Sequence, residues 1–173
     1  MKGKQISLRA PEPADIDLIY AWENDPSVWQ VSNTTAPYSR FDIEQFVLNT
    51  NHDIFAAKQL RLMITDNEKP GEPVGAIDLF DFDPLHRRAG VGILIASSER
   101  GKGYATEALS MLKEYSFNTL NLHQLYCHIS TENKGSIHIF SKTGFEICGT
   151  CKDWTRAENI WKDAFFMQLI NHK

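Results

Sequence analysis

The stretch Arg100-Gly101-Lys102-Gly103-Tyr104-Ala105-Thr106 joins an apolar run, Ile93-Leu94-Ile95, to a segment with helical apolar spacing. Two glycines let the backbone adopt positive φ and approach a ligand closely. Amides at a helix start have no partner inside the helix, and the helix dipole adds positive potential there. A turn of this kind holds phosphate or pyrophosphate; Arg100 and Lys102 add charge. Competing phosphate motifs are absent. No Gly-x-x-x-x-Gly-Lys-Ser/Thr occurs, and Gly101-x-Gly103 has Thr106 where a third glycine would complete a dinucleotide fingerprint. The lone Cys148-Gly149-Thr150-Cys151 has no second pair of ligands to complete a zinc site. It falls in a segment read as a strand, where residues three apart point to opposite faces. No metal is expected.

The elements that must position this turn follow from periodicity. Ile6 to Arg9 reads as a strand. Pro13 opens a helix with Ile16, Ile19, Tyr20 and Trp22 on one face, ended by Asn24-Asp25-Pro26. Ser27 to Ser39 reads as irregular, and Phe41 to Asn49 as a helix with Phe41, Gln45 and Leu48 on one side. Gln59 to Thr65 and Val74 to Phe80 form a hairpin around the turn residues Asp66 to Gly71. A polar loop with Asp81, Asp83 and Pro84 leads to the strand Ala89 to Ile95. Tyr104 to Asn118 is an amphipathic helix through Ala105, Ala108, Leu109, Leu112 and Tyr115. Leu125 to Ile129 is a strand, and Lys134 to Lys142 a helix stopped by Gly144. Phe145 to Cys151 and Ile160 to Leu169 form a last strand pair across a polar connection. The order specifies an α/β (α+β) fold: residues 1–173 form one domain whose central, mixed but mostly antiparallel sheet is flanked by helices.

The 173 residues, 42% hydrophobic and 23% charged, suit one soluble domain and exclude a disordered chain. No apolar run reaches the roughly 20 residues of a membrane span, and Met1 to Arg9 lacks a signal-peptide core. A cytoplasmic protein without membrane attachment is expected. The net charge of −4 argues against nucleic-acid binding and suits a cationic substrate. Trp29, Trp154 and Trp161 read as core or pocket residues rather than an interface.

The phosphate turn resembles that of the GCN5-related N-acetyltransferase (GNAT) superfamily, Arg/Gln-x-x-Gly-x-Gly/Ala, at Arg100, Gly103 and Ala105. A second signature of that family, Asn-x-x-Ser/Ala…Gly-Phe, is similar to Asn133, Ser136, Gly144 and Phe145. The element order agrees. The chain looks closest to bacterial spermidine and ribosomal-protein-alanine N-acetyltransferases, most strongly from His86 through Glu107 and from Leu122 through Phe145.

The resemblance implies direct acetyl transfer from acetyl-CoA to a primary amine in a ternary complex, without an acyl-enzyme. The amine would be a polyamine or a peptide N-terminus. It implies that the backbone of Ile93, Leu94 and Ile95 binds the pantetheine arm, with the Leu94 N–H polarising the thioester carbonyl. Arg100, Gly101, Lys102, Gly103, Tyr104, Ala105 and Thr106 would hold the pyrophosphate. Asn133 would bond the pantetheine or cap its helix. Ser136, Phe140 and Lys142 are counted with the cofactor side. A lysine-like amine with a pKa of about 10.4 is almost wholly protonated at pH 7, so a carboxylate base is expected. Asp78 and Asp81 are the candidates, standing where the polyamine enzymes carry Glu. Phe140 departs from the pattern, since the family has there a tyrosine that protonates the leaving thiolate. A second departure is Ser32 to Tyr38, which holds no acid where the polyamine enzymes do. A homodimer is implied by resemblance alone. The alternative reading is a CoA-binding or regulatory module of the same fold that has lost catalysis.

Overall fold

The computed structural model describes residues 1–32, 36–48, 54–69, 71–157 and 159–172. Residues 33–35, Asn49 and Pro70, read above as parts of an irregular stretch, a helix end and a turn, lie outside these. The strands are β1 (Ile6–Arg9), β2 (Leu60–Asp66), β3 (Pro73–Asp83), β4 (Arg88–Ile95), β5 (Gln124–Ser130), β6 (Glu146–Ala157) and β7 (Ile160–Ile170). The helices are α1 (Ile16–Glu23), α2 (Pro26–Ser32), α3 (Arg40–Leu48), α4 (Ile54–Ala57), α5 (Tyr104–Asn118) and α6 (Lys134–Lys142). One seven-stranded sheet runs in the order β1-β2-β3-β4-β5-β7-β6. Its neighbours are antiparallel except β4 and β5, which are parallel. This is the expected single-domain α/β architecture with a mixed, mostly antiparallel sheet.

Alternation along the strands divides the molecule into two layers. On one face Ile64, Ile77, Leu79, Ala89, Val91, Leu125, Cys127, Ile129 and Met167 meet α5 and α6 through Ala108, Leu109, Leu112 and Phe140. Among the described residues the other face is covered over β2 and β3, where Met63 and Ala76 pack under Ile16 and Ile19 of α1 and Ile43 and Val47 of α3. Over β4, β5 and β7 no described helix covers that second face.

Three differences from the sequence reading have local causes. Pro26 does not only end α1; it begins α2 in the range read as irregular. A proline suits a first helical position because no N–H is needed there, and Asp25 supports the start by accepting from the Ser27 N–H at 2.8 Å. In α3 the buried pair is Ile43 and Val47, whereas Phe41 and Leu48 are more than half exposed. Both faces of this helix carry apolar residues, and the sheet takes the Ile43 side. Finally, β6 continues through the expected polar connection to Ala157, its ladder shifting register between Cys151 and Thr155. Asp153 takes a left-handed φ of 49° in that irregularity, a conformation Asp tolerates better than most residues.

The start of α1 is fixed to β1 by a buried ion pair. Arg9 donates to both oxygens of Asp15 at 2.6 and 2.8 Å, and the Glu12 N–H donates to Asp15 at 2.8 Å. Burial opposes the Asp15 charge, but these hydrogen bonds outweigh it and hold its carboxyl below the usual carboxylate range.

Candidate functional site: a split sheet beside a glycine-rich helix start

The site begins where two parallel strands part. β4 pairs with β3 from Phe80↔Gly90 to Gly75↔Ile95. With β5 it pairs only through Arg88↔Gln124, Ala89↔Leu125 and Gly90↔Tyr126. From Val91 onward the β4 edge faces a gap instead of a strand, and its backbone groups need a partner from elsewhere. An extended ligand carrying amides, such as a pantetheine arm, meets that need.

The alternation of the ladder decides which amides face the gap. The Ala96 N–H donates to the Val74 carbonyl at 2.9 Å, and hydrogen-bonded and non-bonded pairs alternate along an antiparallel ladder. Gly92 and Leu94 therefore turn their backbone groups toward β3, while Val91, Ile93 and Ile95 turn theirs toward the gap. The Ile95 carbonyl, accepting from Arg100 Nε at 3.2 Å, fits this assignment. Leu94 is thus corrected as the expected oxyanion donor, because its N–H is committed to the Ala76 position. The donors on the open edge are Val91, Ile93 and Ile95.

The glycine-rich turn lies at the end of the same strand. After a short 3-10 turn, Ser97–Glu99, Arg100 is extended, and Gly101 and Gly103 take φ of 82° and 88°. A Cβ at either glycine would meet nothing within 4 Å, so the positive φ, not packing, requires glycine. Gly103 caps α5 without any side-chain bond. The first N–H with an intrahelical partner is that of Glu107, donating to the Gly103 carbonyl at 3.2 Å. The amides of Tyr104, Ala105 and Thr106 therefore stand open at the positive end of the helix dipole. Side-chain charge contributes less than the sequence suggests. Lys102 is paired with Glu99 at 2.6 Å, and Arg100 ties the turn back to β4. The Tyr104 ring belongs to the core. Its hydroxyl donates to Asp66 at 2.7 Å, and this bond, with burial, pushes its pKa up to about 12.

On α6, Asn133 acts as the helix cap, its Oδ1 accepting from the Ser136 N–H at 3.1 Å. Phe140 is 3% exposed and packs edge-on against Phe145, ring centres 5.0 Å apart; it is a core residue with no hydroxyl to offer. Lys142 is exposed in the last turn of α6, the end opposite Asn133.

The two carboxylate candidates sit in different surroundings. Asp78 is held by Arg61 through both oxygens, at 2.7 and 3.1 Å, and Arg61 also binds Glu23 of α1 at 2.5 Å. The guanidinium lies over the Phe46 ring at 5.5 Å. Asp78 therefore ties the sheet to α1 through Arg61, each of its oxygens accepting one guanidinium hydrogen bond. Asp81 is exposed, at φ 49°, where the ladder between β3 and β4 breaks. With Asp83, Lys58, Arg88, Gln124, Gln168, Tyr126 and Phe166 it lines a cavity of about 640 Å³ on the open sheet face.

An aromatic floor continues from that cavity along the open face, and the sequence reading missed it. Phe80 stands edge-on to Tyr126 at 6.3 Å, Tyr126 meets Phe166 at 5.9 Å, and His128 lies 5.0 Å from Phe166. Trp154 stacks on His128 at 4.9 Å and 15°. A Cβ at Gly90 would overlap the Phe80 ring, so this glycine allows the ring to lie on the strand. The signal was available in β5, where Leu125, Cys127 and Ile129 alternate with Tyr126 and His128. Neither Trp154 nor Trp161 is a core residue: Trp154 is 51% exposed and stacks on His128 outside the cavity lining, and Trp161 is 57% exposed on the outer hairpin. Among the described residues no group of three or more His, Cys, Asp or Glu is placed to hold a metal ion, and no helix is long and apolar enough to cross a membrane.

Residues 5–146 match the family described as the acetyltransferase (GNAT) domain. The chain is similar to the spermidine N(1)-acetyltransferase of Vibrio cholerae, with 31% identity over 172 residues that cover 99% of this chain and 96% of that one. The L-methionine sulfoximine/L-methionine sulfone acetyltransferase of Pseudomonas aeruginosa is 27% identical over 166 residues, 94% of this chain and 93% of its own. The crystal structure of the V. cholerae spermidine N-acetyltransferase with CoA and spermine matches with a TM-score of 0.84 at 27% identity, covering 97% of this chain and 96% of that one.

Proposed function

This chain belongs to the GNAT acetyltransferase family and is an acetyl-CoA-dependent N-acetyltransferase, and we propose that its acceptor is a small polycationic amine of the spermidine type. The observation that carries this reading is the cavity of about 640 Å³ on the open sheet face, at the end where β4 and β5 still pair, where Asp81 meets Tyr126 and Phe166 while Asp83 is held by Arg88 at 3.2 Å. Carboxylates attract ammonium groups, and aromatic faces bind them by cation–π attraction. The similarity to a spermidine acetyltransferase over nearly the whole chain supports the same acceptor class.

In this reading acetyl-CoA lies with its pyrophosphate on the Gly101 to Thr106 amides and its pantetheine arm along the open β4 edge. The Ile93 or Ile95 N–H polarises the thioester carbonyl and stabilises the negative charge that develops on its oxygen. The amine approaches across the open face, since α5 and α6 fill the opposite one. Its nitrogen attacks the carbonyl carbon, and CoA leaves through cleavage of the C–S bond.

The test is thiol release from acetyl-CoA with spermidine, spermine, methionine sulfone and a peptide with a free N-terminus. The expected result is a kcat/KM at least tenfold higher for a polyamine than for the other two. A faster reaction with methionine sulfone or the peptide would overturn the polyamine assignment.

A further inference from the structure

Acetyl transfer removes one proton from the acceptor nitrogen and delivers one to the departing sulfur. Asp78 is occupied on both oxygens by Arg61. Phe140 has no exchangeable proton. Asp81 lies at the closed end of the gap, beside Tyr126 where β4 and β5 still pair.

His128 stands at the open end. It is two residues beyond Tyr126, the last β5 residue paired with β4. Its side chain shares the open face with Tyr126, Phe166 and Trp154, opposite the face that α5 covers. Continuing the register places it across the gap from Gly92, which has no side chain to fill the space between. The ring is held flat by Trp154 at 4.9 Å yet remains solvent-accessible, so it is oriented without being enclosed.

We propose that His128 is the proton-transfer residue of this acetyltransferase. Its imidazole accepts a proton from the acceptor nitrogen as the N–C bond forms, the C–S bond breaks, and the same proton passes to the thiolate. Neutral amine and acetyl-CoA give the amide and CoA thiol, and the imidazole ends as it began. The nitrogen becomes far more acidic once bonded to the carbonyl carbon, so a weak base suffices at that moment.

The surroundings of the ring favour its neutral form. β4 contributes Gly92 and β3 contributes Phe80. β7 places Phe166 and, paired at 2.6 Å with Glu132, Lys162 on this face. β6 adds Trp154 and Cys151. On β5 the flanking residues are Tyr126 and Ser130, with Asp81, Asp83 and Arg88 beyond Tyr126. Burial lowers the His128 pKa from its ordinary value, leaving the imidazole a proton acceptor at neutral pH.

This assignment rests on the acetyltransferase reading, and the experiment separates the two. His128→Gln and His128→Ala are assayed by thiol release with spermidine, or with whichever amine of the panel above the wild type turns over faster. CoA affinity is measured by calorimetry and folding by circular dichroism. Expected is a loss in kcat of about 100-fold or more, with CoA affinity within twofold of wild type. At low pH, where His128 becomes protonated, the wild-type kcat/KM should fall more steeply than that of the glutamine variant, which keeps only the fall due to protonation of the amine substrate. Added imidazole should restore part of the alanine variant's activity, which a purely structural role would not allow. Wild-type-like kcat and a low-pH fall as steep as the wild type's in His128→Gln would overturn the assignment while leaving the acetyltransferase reading in place. A wild type that binds CoA but releases no thiol with any amine would overturn both.

Discussion

One face of a single sheet carries two regions with similar residue types and different roles. Over β2 and β3 it is roofed by α1 and α3, and its charged groups, Arg61, Glu23 and Asp78, are about 17 to 18% exposed and satisfy one another. Over β4, β5 and β7 no described helix roofs it, and its acids and rings face a cavity. Asp78 and Asp81 are three residues apart on β3, but only Asp81 reaches the open part. A carboxylate near a cleft is thus available for chemistry only when no cation holds it first. The roofed region orients the helices around the site, and the open region receives the acceptor.

That contrast can be broken at Arg61. Arg61→Met leaves Glu23 and Asp78 unpaired in a largely buried setting, so a stability loss of about 3–5 kcal/mol is expected in urea unfolding. An unchanged unfolding midpoint would remove the distinction between the regions. Asp15→Asn, at the foot of the roof, should cost about 2 kcal/mol, the worth of charged hydrogen bonds. Because the folded Asp15 carboxyl is held below its unfolded value, its stabilisation is present above the unfolded pKa. It is lost as pH falls through the folded value, so the gap between wild type and Asp15→Asn should close in acid. In the open region the signs reverse. Trp154→Ala should raise the amine KM about tenfold through lost cation–π attraction and desolvation, with CoA affinity unchanged and stability altered by less than either variant above. The smallest effect is expected away from both regions. The Ser116 hydroxyl, fully buried in α5, has no hydrogen-bond partner among the described residues. Ser116→Ala should therefore raise stability by about 1 kcal/mol, read as a shift in the thermal midpoint.

The parts of this molecule legible in the sequence are those set by local rules. The α5 apolar stripe, the Gly101 and Gly103 turn and the Asn133 cap each depend on residues within one or two turns of chain. What stayed hidden depends on neighbours distant in sequence. The direction of the Leu94 amide is set by β3, since a ladder fixes which alternate groups it consumes. Asp78 is neutralised by Arg61, its register partner across the hairpin, a contact that requires pairing the two strands residue by residue. The exposed side of α3 could not be chosen from a helix apolar on both sides. The aromatic floor escaped because its rings come from β3, β5, β6 and β7, and Trp154 reaches it only through the shift in the β6 ladder.

The central claim is that CoA binds along the free edge of β4 and on the glycine-rich start of α5. Residue-resolved amide hydrogen exchange, with and without CoA, tests it most directly. CoA should slow exchange at Val91, Ile93, Ile95 and the amides from Gly101 to Thr106. Gly92 and Leu94, already bonded to β3, should change little. Protection confined to Gly92 and Leu94, or absent from both β4 and the turn, would contradict the account.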